Sequence, residues 1–158
     1  MSFDVFLHKF AAGEPAEVNR DRVHAVLQTR EFTGPDDFGF YIVKFPDGVD
    51  VEWSAEGLDG TAKFTGCAFH IRGMSSHLAN FILEIAKAGD MVMLPAMEDF
   101  VPILSSPEQK LQLPSDVAQD GREPVVCESP AELESVLSGG LAGWQRYRNH
   151  ALNQKRVV

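Results

Sequence analysis

The stretch GCAFHIRGMSSHLANFILEIAKAG, residues 66–89, changes its periodicity halfway along, and the class of the fold follows from that change. Its first half is rich in strand formers and bounded by Gly66 and Gly73. Read as a strand, it sends Cys67, Phe69 and Ile71 to one side and Ala68, His70 and Arg72 to the other. Its second half carries Leu78, Phe81, Ile82 and Ile85 at the i, i+3, i+4, i+7 spacing of an amphipathic helix, which starts at Ser75 or Ser76 and stops at Gly89.

Working outward, the same two periods recur. SFDVFLHKF, residues 2–10, alternates as a first strand, and Asn19 caps a helix running to about Thr29, with Val18 and Val23 placed as a hydrophobic staple. After the turn-rich EFTGPDD, FGFYIVKF (38–45) reads as a buried strand joined through Pro46-Asp47-Gly48 to a second one ending near Trp53. The strand containing Cys67 is expected to begin already at Thr61. DMVMLPA continues as a strand, DFVPIL as a short extended piece, SPEQKLQL as helical turns and PVVC as a short strand. Helices are expected from Pro130, capped by Ser129, and again after a break at Gly139-Gly140. This order predicts a single α+β domain over 1–158: a two-layer sandwich with a mainly antiparallel sheet, helices on one face, and a ferredoxin-like core with additions.

Charge bounds the class of partner. The chain carries −9 overall, and residues 141–158, with Arg146, Arg148, Lys155 and Arg156 and no acid, form a basic C-terminal helix or tail. Residues 1–140 therefore hold 10 basic and 23 acidic side chains, a net −13, which repels phosphate backbones and suits a basic protein partner. No nucleic acid and no membrane is expected as a partner: the apolar runs are short, and Asp4 interrupts the start where an export signal would need a basic region and then an apolar core. Cys67 and Cys127 are expected as reduced, buried thiols in a cytoplasmic protein.

Four constellations could carry chemistry. Cys67, His70 and His77 suggest zinc, but strand alternation puts Cys67 and His70 on opposite faces and a structural site needs four ligands, so no metal or other cofactor is expected. Cys67 as a nucleophile lacks any surrounding signature and sits on the apolar side. His70 with Arg72 is the enzyme alternative, a general base and an anion anchor on a sheet face, with Glu52 or Glu84 as helper. The densest signal is acidic: Glu31, Asp36, Asp37, Asp47, Asp50, Glu52, Glu56 and Asp59 accompany a single Lys44. Such a sweep is commonly a solvated edge. Its functional reading is a docking face formed by Asp47, Asp50, Glu52, Trp53, Glu56 and Asp59, with Phe38 or Tyr41 as a further aromatic anchor. Glu98 and Asp99 follow a strand, and Trp144 with Arg146 and Arg148 could bind anions; both are commonplace arrangements. Dinucleotide, phosphate-loop, zinc-protease and serine-hydrolase motifs are absent from the sequence.

SFDVFLHKF followed by GEPA (13–16), together with VMLPAMEDFVPILSSPEQKLQLP (92–114), resembles small bacterial proteins, some of them of the immunity type that accompanies contact-dependent or secreted toxins. The resemblance covers the two ends of the domain and transfers no catalytic residue. It implies a cytoplasmic, acidic, non-enzymatic binder that occludes a toxin's active site.

Overall fold

The computed structural model describes residues 2–60, 62–97, 101–117 and 123–155. Thr61, Glu98, Asp99 and Arg156 lie outside them. In chain order the elements are β1 (Phe3–His8), β2 (Phe10–Ala11), β3 (Glu14–Pro15), α1 (Arg20–Leu27), β4 (Glu31–Thr33), β5 (Phe40–Lys44), β6 (Asp50–Ser54), β7 (Gly66–Ile71), α2 (Ser76–Gly89), β8 (Val92–Pro95), β9 (Ile103–Leu104), a 3-10 helix (Pro107–Gln112), β10 (Val125–Val126) and α3 (Pro130–Lys155).

Eight strands form one sheet in the order β10-β9-β8-β1-β7-β6-β5-β4, and β2 with β3 form a separate small ribbon. Every pairing in the large sheet is antiparallel except that of β9 with β10. The fold is therefore the expected α+β sandwich. Its central β8-β1-β7-β6 order is that of a ferredoxin-like sheet, but α1 leads into β4 at the far edge, so the meander is two strands longer.

Period-2 alternation explains the main core. Phe3, Val5 and Leu7 of β1, Cys67, Phe69 and Ile71 of β7, and Val51 and Trp53 of β6 all point to one face, where α1, α2 and α3 cover them. Trp53 stacks on Phe69 at 5.6 Å between centroids and meets Phe81 of α2 edge-on at 5.8 Å, the two geometries aromatic rings favour. α2 begins as its sequence indicates, with the Ser75 hydroxyl accepting from the Leu78 N–H at 3.2 Å, and ends at Asp90 in a left-handed conformation.

Three expectations are corrected. EFT within the turn-rich segment is not loop but edge strand β4, completed by its pairing to β5. Residues 62–65 do not join β7, which starts at Gly66. The helix does not break at Gly139-Gly140: Leu133, Leu137 and Leu141 recur every four residues across the glycines and bury against the core, and this packing outweighs a propensity cost of about 1 kcal/mol per glycine.

The second face of the sheet is covered at one end only. There Val92 and Leu94 of β8 pack with Leu104, Leu113 and Val117, under the segment that includes the 3-10 helix. Gln109 anchors that helix. Its side-chain oxygen accepts from Ser105 N–H at 2.8 Å, while its amide donates to Asp90 Oδ1 at 3.0 Å, so a polar side chain 5% exposed is satisfied on both ends. From β1 across to β4, apart from the His8 end of β1, where Phe10 packs, no layer formed by the described residues lies over the second face.

Candidate functional site

The uncovered face is a register grid. Antiparallel pairing sets Ile42 opposite Glu52, Glu52 opposite His70 and His70 opposite Asp4. In the next row Phe40 faces Ser54, Ser54 faces Ala68 and Ala68 faces Phe6. Lys44 pairs with Asp50 at the margin. Two of the docking residues singled out from the sequence, Asp50 and Glu52, thus share the face with His70 and Arg72.

At the centre of the grid three side chains form a chain of hydrogen bonds. His70 Nδ1 lies 2.9 Å from Asp4 Oδ1, and His70 Nε2 lies 3.1 Å from Ser54 Oγ. Asp4 Oδ1 also accepts from the Ser2 hydroxyl at 2.6 Å. A carboxylate can only accept, so Nδ1 carries a proton toward Asp4. The single Ser54 hydroxyl proton has two acceptors in reach, the Ala68 carbonyl at 3.4 Å and, in the neutral imidazole, Nε2 at 3.1 Å. Phe40 stacks on the imidazole with centroids 5.7 Å apart and the planes 26° from parallel, fixing the ring from the β5 side. The resulting order, carboxylate to imidazole to hydroxyl, is that of a nucleophile with its base and the base's orienting group.

Arg72 stands apart from this chain. It is exposed and lies 3.6 Å from Glu52, so Glu52 serves the arginine rather than the histidine. Glu84 cannot help either: it is on α2, across the sheet, bonded to Arg30 at 2.8 Å. The pair expected to act together is instead two separate pairs, Asp4–His70 and Arg72–Glu52. Asp4 and Ser54 carry no sequence signal of their role, because strand register brings residues 4, 54 and 70 together.

The docking residues are also redistributed. Trp53 is fully buried on the helix side and Tyr41 is 2% exposed, so neither is presented as an aromatic anchor; both point inward by the alternation that leaves Glu52 and Ile42 outside. Burial, aided by the charge of Asp59, pushes the Tyr41 hydroxyl up to about 12. Phe38 is the anchor that remains, 77% exposed on the loop before β5. The acids do not form one patch. Asp47 lies in the turn after β5, while Glu56 follows β6 at the opposite end of the hairpin, beside Gly39. A five-residue strand separates these ends, roughly 17 Å at 3.4 Å per residue. Asp47 holds its own turn, accepting from Val49 N–H at 3.0 Å, and that bond keeps its carboxyl below the usual range. Asp50 and Glu52 remain on the sheet face.

A recess of about 340 Å³ adjoins the grid, walled by Thr33, Gly34, Pro35, Asp36, Phe40, Ile42 and Glu52. Both thiols are buried on the inner side; burial pushes Cys67 up to about 12 and raises Cys127, so neither is a ready nucleophile. Among the described residues no group of three or more His, Cys, Asp or Glu side chains converges as a metal site, and no helix is long and apolar enough to cross a membrane. No protein-family model, curated protein or solved structure matches the chain.

Proposed function

We propose that the protein is a binding protein of the immunity type, which occludes a basic protein partner through the uncovered face of its sheet. One observation carries this reading. Phe6 is 39% exposed and Ile42 45% exposed on a face where an antiparallel sheet facing water would ordinarily be polar. Half-buried Phe40 adjoins Ile42 on β5, Ala68 and Ser54 bridge the row from Phe40 to Phe6, and Asp4 and Glu52 lie in the neighbouring row. Exposed apolar side chains interleaved with acids suit a docking surface, in which aromatic and aliphatic anchors hold the complex and the acids speed encounter with a cationic partner. Lys44 and Arg72 sit at the margin and do not reverse the sign of a body carrying −13 over residues 1–140.

The test uses the purified product of the reading frame adjacent to this gene, titrated by calorimetry against wild type, Phe6→Asp with Ile42→Asp, and Asp47→Asn with Glu56→Gln. The sheet-face pair is expected to lose about 30-fold or more in affinity, as removal of interface anchors does. The turn acids should change affinity by less than about threefold, since they lie off the anchor cluster. Equal affinity of all three proteins, or no binding by wild type, would remove this reading.

A further inference from the structure

We propose that Ser54 is an acyl-accepting nucleophile, with His70 as its general base and Asp4 as the positioning residue, acting on small uncharged carboxylic esters. The inference stands apart from docking: it rests on the contacts of 2.9 and 3.1 Å that link Asp4, His70 and Ser54 in sequence. With Nδ1–H held by Asp4, the neutral imidazole presents Nε2 to take the hydroxyl proton as Oγ turns from the Ala68 carbonyl and attacks, and Asp4 stabilises the imidazolium that forms. The stacked Phe40 ring and the strand pairing of Asp4 with His70 hold the base in place before substrate arrives.

The surroundings select the substrate. Ser54 has Phe40 on one side and Ala68 then Phe6 on the other, an apolar strip for a short or aromatic acyl group. Glu52 and Asp36 line the adjacent recess and disfavour anionic esters. In the reaction, Ser54 Oγ bonds to the ester carbonyl carbon and its proton passes to His70 Nε2. The carbon–oxygen bond to the leaving alcohol breaks, and that alcohol takes the proton from His70. Water then attacks the acyl-serine by the same route, His70 accepting its proton and returning it to Oγ, which releases the carboxylic acid. The strand N–H groups around Ser54 are engaged in the sheet ladder, so the site offers a nucleophile and a base without an oxyanion hole. Activated esters and phosphonates should react; amides should not.

The probes are an alkyl fluorophosphonate, read by peptide mapping in a mass spectrometer, and p-nitrophenyl acetate, read by phenolate release. Wild type should form a single adduct on Ser54, and Ser54→Ala none. His70→Gln should label on the order of 100-fold more slowly, the usual contribution of a general base. Asp4→Asn should slow acetate release at unchanged KM and alter the pH profile of the rate, which loss of a merely structural contact would not do. Thermal unfolding of each variant confirms that it is folded, and chymotrypsin serves as the labelling control. Absence of a Ser54 adduct, adducts spread without preference over other side chains, or equal labelling of folded His70→Gln would overturn the proposal. None of these readouts depends on a protein partner, so failure here leaves the docking reading intact, and the reverse.

Discussion

Gly66 opens β7 with no room for a side chain: a Cβ there would come within 2.5 Å of the Leu7 carbonyl and of the His8 ring. The missing side chain lets the His8 imidazole lie across the strand pair, between Phe6 and Phe10, with centroids 6.5 and 6.2 Å away. Burial there lowers the His8 pKa below its usual 6.5, because the charged form loses water. The sign follows directly: between the lowered folded value and 6.5 the unfolded chain binds more protons, so this residue makes stability rise with pH and fall as pH drops through the window. Wild type should therefore lose more stability than His8→Gln between about pH 7.5 and about pH 5.5, measured by urea unfolding. Parallel losses in the two proteins would show that His8 is not a linked group. At this scale the sequence was informative about side-chain direction, and it placed Cys67 inward and His70 outward. It was silent about partners: nothing in EWSAE or SFDVF marks Ser54 or Asp4, and the inward turn of Trp53 depends on which face of β6 is covered.

At the scale of elements, α2 and the β5–β6 hairpin are legible because cap, periodicity and turn residues agree. β4 and α3 are the two that local reading misjudges, in opposite directions. β4 has three residues beside a Gly-Pro turn and exists through its ladder with β5, a long-range fact with no local signature. α3 passes straight through two glycines because its leucine stripe finds the core. Gly139 is exposed and helical, with nothing within 4 Å of where a Cβ would stand. Gly139→Ala should accordingly stabilise the protein by about 0.5 to 1 kcal/mol, the helix-interior difference between the two residues. A lower melting temperature in that variant would contradict a continuous α3.

Taken as a whole molecule, the protein is a sandwich with one face of its sheet closed by three helices and the other closed, among the described residues, at one end only. If the open face meets a basic partner, the −13 body should make association fast at low salt and progressively slower as salt rises from about 50 to 300 mM. Combining Asp47→Asn, Asp50→Asn, Glu52→Gln and Glu56→Gln should flatten that dependence in stopped-flow measurements; an unchanged salt slope would show that the acids do not steer the encounter. The sequence by itself determined the charge, the alternation of each strand, the amphipathic faces of the helices and hence the α+β class, because these depend on neighbours within a few positions. Tertiary structure alone decided that two acidic ends of a hairpin stand apart, that Trp53 is core, and that residues 4, 54 and 70 form one hydrogen-bonded chain. Those outcomes come from strand register and sheet order, which bring Asp4 and His70 together from 66 positions apart and leave no local trace in the chain.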